Sequence, residues 1–513
     1  MKNREIYLRD PITTKLLNDG VAAVGEGKSK KEIETLRYEL EHFVCRGQYK
    51  DGIARILDSY TGSVDSTVQP AAWVSGFYGS GKSHLLKMLR HLWVDTKFPD
   101  GATARGLAQL PNEVSDYFKE LNTLGKRYGG LHAASGQLPS GGGVSLKLAV
   151  LGILFKSLGL PETLPQAQFC MWLKKNGFYD QVKAEVENAG RVFFSELSDL
   201  YASPVIARAI LAVDPTFADS EKKARAALRD QFRHVDDLQT NEFIKNVRDV
   251  LSNDGEIPCT LIALDEIQLY IGDSPQRSTD VQDVTEALCK QMDSRILVVG
   301  AGQTALAANT PLLQRLRGRF TIPVELSDVD VEVVTREVVL AKRADKIKDI
   351  QKCLQSNAGE ISRQLAGSSI CARSSDDSYL VSDYPILPVR RRFWEHVLRA
   401  CDVQGTAAQL RTQLKIVHDA ARVTAEKELG IVIPADFIFE QLQADLVRTG
   451  LLLRELDEMI RQFDDAPVRN ELVKDSGDIA SEIDSILGKI AYQKVGKHIS
   501  GRTYTDIDSR IFR

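Results

Sequence analysis

The sequence predicts an α/β fold: a mostly parallel β-sheet with helices on both faces, followed by a helical lid and a C-terminal helical region. Three observations support this prediction. Largely apolar runs at 71–74, 257–264 and 296–299 have the length and composition of strands that are buried on both faces. Longer segments with apolar residues at helical spacing separate these runs. A glycine-rich loop joins the first run to such a helix, which is the strand–turn–helix connection of a parallel sheet.

The glycine-rich loop carries the strongest motif of the chain. It reads Gly76-Phe77-Tyr78-Gly79-Ser80-Gly81-Lys82-Ser83-His84. This fits Gly-x4-Gly-Lys-[Ser/Thr], the phosphate-binding P-loop, in which glycines let successive backbone N–H groups point into one concavity. The N-terminus of the following helix adds positive potential there. We predict that this loop binds ATP, that Lys82 reaches the β- and γ-phosphates, and that Ser83 binds Mg²⁺.

The second apolar run ends in an acidic pair, Asp265 and Glu266, which is the Walker B pattern. Asp265 is predicted to bind Mg²⁺ opposite Ser83, and Glu266 to polarise the attacking water as a general base. The alternative is a buried strand followed by two solvated carboxylates. The P-loop upstream favours the catalytic interpretation.

The third apolar run ends in small and polar residues. In a doubly wound sheet this strand would lie between the two motif strands, with its end beside the γ-phosphate. Gln303, or alternatively Thr304, would then orient the attacking water as the sensor-1 residue. The other interpretation is that both residues only form the turn after a strand.

Three arginines, Arg315, Arg317 and Arg319, precede a predicted last strand. A guanidinium from a neighbouring subunit would stabilise transition-state charge on the γ-phosphate, and we assign this role to Arg319 or Arg315. A solvated helix end is the alternative. Arg411, near the start of a lid helix, is assigned to contact the nucleotide as the sensor-2 residue. A shared arginine implies a homo-oligomer.

The chain is predicted to divide into four regions. They are a helical lead-in at 1–68, an ATPase core at 69–326 with a helical insertion at about 160–240, a helical lid at 327–430, and a C-terminal helical region at 431–513. A helical lead-in before the first strand is typical of AAA+-like nucleotide switches. Local patterns predict a strand at 5–8, helices at 30–41, 49–60, 145–158 and about 328–353, and loops at 135–143 and 366–383.

Composition narrows the protein class. The 513 residues are 43% hydrophobic and 27% charged, as in an ordinary multidomain globular chain. A net charge of −4 gives no global basic footprint, so contact with DNA would need a local patch. The run Arg390–Arg392 is one candidate, although a helix start with solvated arginines is the favoured interpretation. No run of about 18 apolar residues suggests a membrane span. Seven scattered cysteines, without a Cys-x2-Cys pair, indicate a reducing cytoplasm.

Several of these segments also point to a family. They are residues 6–11, 76–84, 263–268, 299–306 and 384–394. Together they resemble the BrxC family, the large P-loop proteins of BREX (bacteriophage exclusion) systems, and the resemblance runs from the start to about residue 450. It implies an AAA+-like ATPase that acts in anti-phage defence with a DNA methyltransferase and other BREX proteins. Because BrxC proteins are much longer, the chain is expected to be an amino-terminal portion or a shortened natural form.

Two functional hypotheses follow. In the first, ATP hydrolysis changes the angle between core and lid, and thereby the assembly of the protein or its engagement of DNA. In the second, the ATP-bound protein is a scaffold that recruits defence or DNA-modification partners with little turnover. A P-loop kinase is disfavoured, because no acceptor pocket is apparent and Glu266 indicates hydrolysis.

Overall fold

The computed structural model describes residues 1–13, 29–76, 80–139, 143–253, 255–306, 311–326, 332–359, 373–401 and 409–433, with Phe437, Ile438 and Gln441. Of residues 311, 396–401 and 409–413 only the backbone is described. The described residues group into two units. Residues 29–76 and 81–326 form the sheet unit, whereas residues 1–13, Ser80 and those from 332 onward form the helical unit. The division after residue 327 lies one residue beyond the predicted end of the core at 326.

The sheet unit is built on five parallel strands. They are β1 (Ala71–Ser75), β2 (Leu131–Gln137), β3 (Cys259–Asp265), β4 (Ile296–Gly302) and β5 (Phe320–Glu325). Their order is β2-β3-β4-β1-β5, so β4 lies between the strands that carry the two motifs, as predicted. The α/β class with a parallel sheet is therefore confirmed.

The register brings the strand ends to one edge. Ser75 pairs with Gly302, and Asp265 pairs with Gln137. The segments after β1, β3 and β4 therefore all leave from the same side of the sheet, which we call the carboxyl edge. The opposite side, where the strands begin, is the amino edge. In open parallel sheets ligands bind at the carboxyl edge, where successive connections depart to opposite faces.

Burial explains why these runs form strands. Every residue of β1, β3 and β4 is buried, because helices cover both faces of the sheet. In the edge strand β5, by contrast, Phe320, Ile322 and Val324 are buried and the residues between them are exposed. β2 continues to Gln137, so the loop predicted at 135–143 begins three residues later than expected. Residues 140–142 lie outside the described part.

Helices surround the sheet in the order α1 to α15. They are α1 (Lys30–Glu41), α2 (Gly47–Ser63), α3 (Lys82–Trp93), α4 (Ala104–Leu107), α5 (Asn112–Arg127), α6 (Leu146–Ser157), α7 (Leu164–Lys175), α8 (Tyr179–Asn188), α9 (Phe193–Glu196), α10 (Pro204–Val213), α11 (Glu221–Gln231), α12 (Thr240–Leu251), α13 (Ile267–Ile271), α14 (Pro275–Gln291) and α15 (Pro311–Gln314). The predicted helix 30–41 is confirmed, and it begins with a capping box between Ser29 and Glu32. Helices α7 to α12 lie between β2 and β3, in the part of the chain where the insertion at about 160–240 is predicted.

The helical unit differs most from the sequence prediction. Its α-helices are α16 (Ile347–Ser356), α17 (Leu380–Asp383), α18 (Pro388–Cys401) and α19 (Gln409–Thr424), with a π-helix at Thr335–Val339. Single 3-10 turns occupy Asn3–Ile6, Ala344–Lys346 and Ser374–Ser378. Residues 374–383 are therefore helical turns and not part of a loop, and residues 360–372 lie outside the described part.

One contact accounts for two wrong predictions. The segment 5–8 is not a strand, because Glu5 and Ile6 end a 3-10 helix and only Tyr7 forms a β-bridge. The helix predicted from 328 to 353 breaks after Val339. Tyr7 forms an antiparallel bridge with Lys342, and Leu8 N–H donates to the Ala341 carbonyl. Because the backbone at 341–343 pairs with the N-terminal segment, it cannot continue the helical hydrogen bonds. A contact between positions more than 300 residues apart leaves no local sequence signal.

At the start of α18, Arg390 and Arg391 are buried and Arg392 is partly buried, so the prediction of solvated arginines is wrong. Arg391 is 6% exposed and forms ion pairs with Asp383, Glu332 and Glu395. Arg392 pairs with Asp376 through both terminal nitrogens. These arginines connect elements of the helical unit, and their burial leaves little guanidinium surface for nucleic acid. Among the helices described, none is both long and apolar enough to cross a membrane.

Candidate nucleotide-binding site

The two ends of the P-loop come together around a lysine. β1 ends at Ser75, and α3 begins at Lys82, whose ammonium donates to the Gly76 carbonyl at 2.8 Å. Gly81 has φ +90°, a left-handed conformation that L side chains rarely adopt, and its carbonyl accepts from Leu85 N–H at 2.8 Å. Residues 77–79 of the predicted loop lie outside the described part. The described ends of the loop are therefore a strand end and a helix start, the two elements that a phosphate-binding loop connects.

The acidic pair lies near this lysine. Lys82 is 8% exposed, and burial lowers its pKa, whereas the negative charges of Asp265 and Glu266 raise it. The negative charges of Asp265 and Glu266 thus act on the ammonium of Lys82 at the carboxyl edge. The sheet thus brings together one cation and two anions from β1–α3 and β3, which are 183 positions apart in the sequence.

Glu266 is held in an unusual conformation. It follows the last residue of β3 with φ +59°, and its N–H donates to the Asp265 carboxylate at 2.9 Å. A left-handed, non-glycine residue is uncommon and is typical of functional sites. Burial raises the pKa of Glu266, the neighbouring Asp265 raises it further, and Lys82 opposes this shift. A carboxylate with a raised pKa is a better proton acceptor, as a general base requires.

The oxygen donors at this edge suit magnesium. Ser83 lies on the first turn of α3, and Asp265 is 5% exposed at the end of β3. A hydroxyl and a carboxylate are hard oxygen ligands of the kind that Mg²⁺ binds, together with phosphate and water oxygens. Within the described ranges, no cluster of three or more His, Cys, Asp or Glu side chains could hold a metal alone. The residues present therefore fit a metal that a nucleotide brings with it.

His84 is directed into the protein. Its ring lies 5.9 Å from the ring of Phe43, and burial lowers its pKa. Beside it, Glu39 of α1 and Lys87 of α3 form a buried ion pair at 2.5 Å. The backbone of His84 belongs to the helix N-terminus, while its side chain contacts Phe43, which follows α1.

The segment after β4 is fixed by a residue that the sequence analysis did not assign. Gln268 of α13 accepts from the N–H groups of Gln303 and Thr304 at 2.8 and 2.9 Å, and donates to the Thr304 hydroxyl at 3.2 Å. The Thr304 carbonyl accepts from the Trp73 indole at 3.0 Å. The polar groups of Thr304 are therefore occupied in holding the turn, and the exposed side chain at this position is that of Gln303. The one signal for Gln268 is an amide within the apolar segment 267–271.

The three arginines before β5 lie at the other side of the sheet. Arg315 and Arg317 are exposed on a 3-10 turn, and Arg319 pairs with Glu286 of α14 at 2.5 Å. The Arg319 carbonyl accepts from Ala71 N–H, at the first residue of β1. These arginines therefore lie at the amino edge, opposite Lys82 of the same chain. Arg411 belongs to α19, and its side chain lies outside the described part.

Comparisons with known proteins add little. No family model matches the chain. Among solved structures, a chain of a structure of Drosophila ORC bound to DNA is similar over 86% of this chain and 89% of that chain, with 13% sequence identity and a TM-score of 0.24. At that TM-score the similarity supports no conclusion about fold or function.

Proposed function

We propose that this chain binds ATP with Mg²⁺ and hydrolyses it, as an AAA+-like ATPase. The observation that carries the proposal is the placement of a buried lysine, at the start of the helix after β1, and an acidic pair, at the end of β3, on the same carboxyl edge of a parallel sheet. Strand β4 between the two motif strands supports the AAA+-like assignment, because the sensor position of such a core follows a strand in that place.

Each residue then has a defined task. Lys82 and the backbone of Gly76 to His84 bind the phosphates, and Ser83 and Asp265 bind the metal, which neutralises phosphate charge. Glu266 accepts a proton from the water that attacks the γ-phosphate, and Gln303 orients that water. Lys82 must exchange its bond to the Gly76 carbonyl for phosphate oxygens when the nucleotide binds. Arg315 or Arg319 would act on the nucleotide of a second copy of the chain.

The proposed biological setting is anti-phage defence in the cytoplasm, within a BREX system. The resemblance of five segments to the BrxC family supports this setting. The partners it implies are a second copy of this chain, other BREX proteins including a DNA methyltransferase, and DNA. In this setting ATP turnover would switch assembly or DNA engagement.

The direct test is nucleotide binding and phosphate release by the full chain. Lys82→Ala should abolish binding of ATP–Mg²⁺, because the buried cation is lost. Glu266→Gln should keep ATP bound and reduce turnover by about 10²- to 10⁴-fold, the usual contribution of a general base. Lys119→Ala and Glu187→Gln, at exposed ion pairs of the same unit, are matched controls that should behave as wild type.

Each outcome has a distinct meaning. A wild-type chain that binds no ATP in the presence of Mg²⁺ would refute the proposal. Wild-type turnover that is no faster than that of Glu266→Gln would instead support the ATP-bound scaffold. For the defence role, Lys82→Ala in a host that carries the complete system should lose phage restriction, and unchanged restriction would contradict it.

A further inference from the structure

We propose that Gln268 is a positioning residue, which holds Gln303 at the distance from Glu266 that water activation requires. This inference rests on the proposed ATPase function. It concerns a residue that touches neither phosphate nor metal in the assignment above, and that acts through its amide group.

The side-chain amide of Gln268, just after β3, forms hydrogen bonds to the segment that follows β4. β4 ends at Gly302, and the next two N–H groups have left the hydrogen-bond ladder of the sheet. One oxygen of Gln268 accepts both of them, at 2.8 Å from Gln303 and 2.9 Å from Thr304. Both backbone donors take the same acceptor outside the sheet ladder, so the geometry of the turn depends on this side chain.

The turn is also fixed from its other side. The Trp73 indole donates to the Thr304 carbonyl at 3.0 Å. At Gly302 an added Cβ would lie 2.4 Å from the ring of Trp73, so the backbone passes directly against the indole. The turn is thus held between Trp73 of β1 and Gln268 of α13. Neither of these contacts uses the side chain of Gln303, which is exposed.

Gln268 is close to Glu266 in the chain. Gln268 follows Glu266 by two residues, and α13 begins between them. Any shift of the turn relative to Gln268 therefore changes the separation between Gln303 and the carboxylate. Misplacement of a reacting group by about 1 Å can reduce the rate about 100-fold. The structure therefore predicts that Gln268 affects the chemical step and not ATP affinity.

A double-mutant cycle in kcat tests this role. Gln268→Met preserves side-chain length and removes the amide, and should reduce kcat by at least about tenfold while KM stays within about twofold. Gln303→Ala should have a similar effect, and the double variant should be no slower than the slower single variant by more than about twofold. Thr304→Val removes one of the three bonds and should have a smaller effect. Gln276→Met, at an exposed glutamine of α14, is the control.

Hydrogen exchange gives a readout that does not depend on turnover. In Gln268→Met the amides of Gln303 and Thr304 should exchange at least about tenfold faster, with little change in β1 and β3. Unchanged kcat in Gln268→Met, or multiplicative effects in the double variant, would overturn the positioning role while leaving the ATPase proposal intact. Absence of ATP hydrolysis by the wild type would refute both.

Discussion

The buried charges of the helical unit allow a quantitative prediction for Asp383→Asn. Asp383 is fully buried and accepts two hydrogen bonds from Arg336, at 2.6 and 3.2 Å, and one from Arg391 at 3.1 Å. Asparagine preserves the shape of the side chain but removes the charge, and its NH₂ group would face guanidinium donors. The substitution therefore tests the ion pairs with little change in packing.

The expected loss follows from the contacts. Removing one partner of a buried ion pair costs about 3–5 kcal/mol, because the remaining charge is left without full compensation. Here Glu332 still pairs with both arginines and Glu395 with Arg391, so the value should lie near the lower end, at about 3 kcal/mol. With a urea dependence of about 2 kcal/mol per molar, the midpoint would decrease by about 1.5 M.

The assay is urea denaturation, monitored by hydrogen exchange of the amides in residues 384–401. These amides report on the helical unit alone. Asp345→Asn is the matched control, because Asp345 also accepts two bonds from one arginine, at 3.1 and 3.3 Å, but the pair is exposed. That variant should change the free energy of unfolding little, because exposed ion pairs contribute little to stability. Equal effects of the two variants, or a loss below about 1 kcal/mol for Asp383→Asn, would refute the argument that burial makes this network important.

Three further predictions concern single residues. Arg105 donates to the carbonyls of Leu92, Trp93 and Phe118 and to Asn122, so Arg105→Ala should destabilise the sheet unit by about 3 kcal/mol or more in urea denaturation. Burial lowers the pKa of Lys342 to about 7, from 10.5 in an exposed lysine. Between pH 7 and 10.5 the unfolded chain therefore carries a proton on Lys342 that the folded chain lacks, so the free energy of unfolding should rise with pH. Lys342→Met should remove that rise between pH 7 and 9.5. Because the pKa of Glu266 is raised, the acidic decline of kcat/KM should have its midpoint above 4.5, and a midpoint below that value would contradict the general-base assignment.

The sheet unit could be predicted from sequence because its signals are local. The run 71–74 is apolar without interruption, and most residues of β3 and β4 are apolar, as is typical of strands buried on both faces. The position of β4 between the motif strands was predicted from the doubly wound arrangement, and the strand order confirms it. The signals that failed were equally local. The local pattern of Arg390–Arg392 is that of a solvated helix start. The pattern does not show that carboxylates at 332, 376, 383 and 395 form ion pairs with these arginines.

The roles of Gln303 and Thr304 could not be separated by sequence for a related reason. Both residues follow a buried strand, and both carry polar groups that could orient water. The structure shows the Thr304 hydroxyl bonded to Gln268, whereas the Gln303 side chain is exposed. Whether Gln303 or Thr304 is available to orient water depends on Gln268, which follows the end of a different strand, β3. The sequence marks the partner, Gln268, only as an amide within an apolar segment, which does not indicate that it bonds to residues 303 and 304.

The parallel sheet also constrains how the predicted arginines can work. In such a sheet the residue before a strand lies at the amino edge and the residue after a strand lies at the carboxyl edge. Arg315, Arg317 and Arg319 precede β5, whereas Lys82 and Glu266 follow β1 and β3. Within one chain these groups are therefore separated by the length of the strands, and the arginines can act on a nucleotide only if it is bound by another copy. Arg319 already has a carboxylate partner in Glu286, which it would have to leave, while Arg315 is exposed and would not. If a guanidinium is shared between subunits, the geometry favours Arg315 over Arg319.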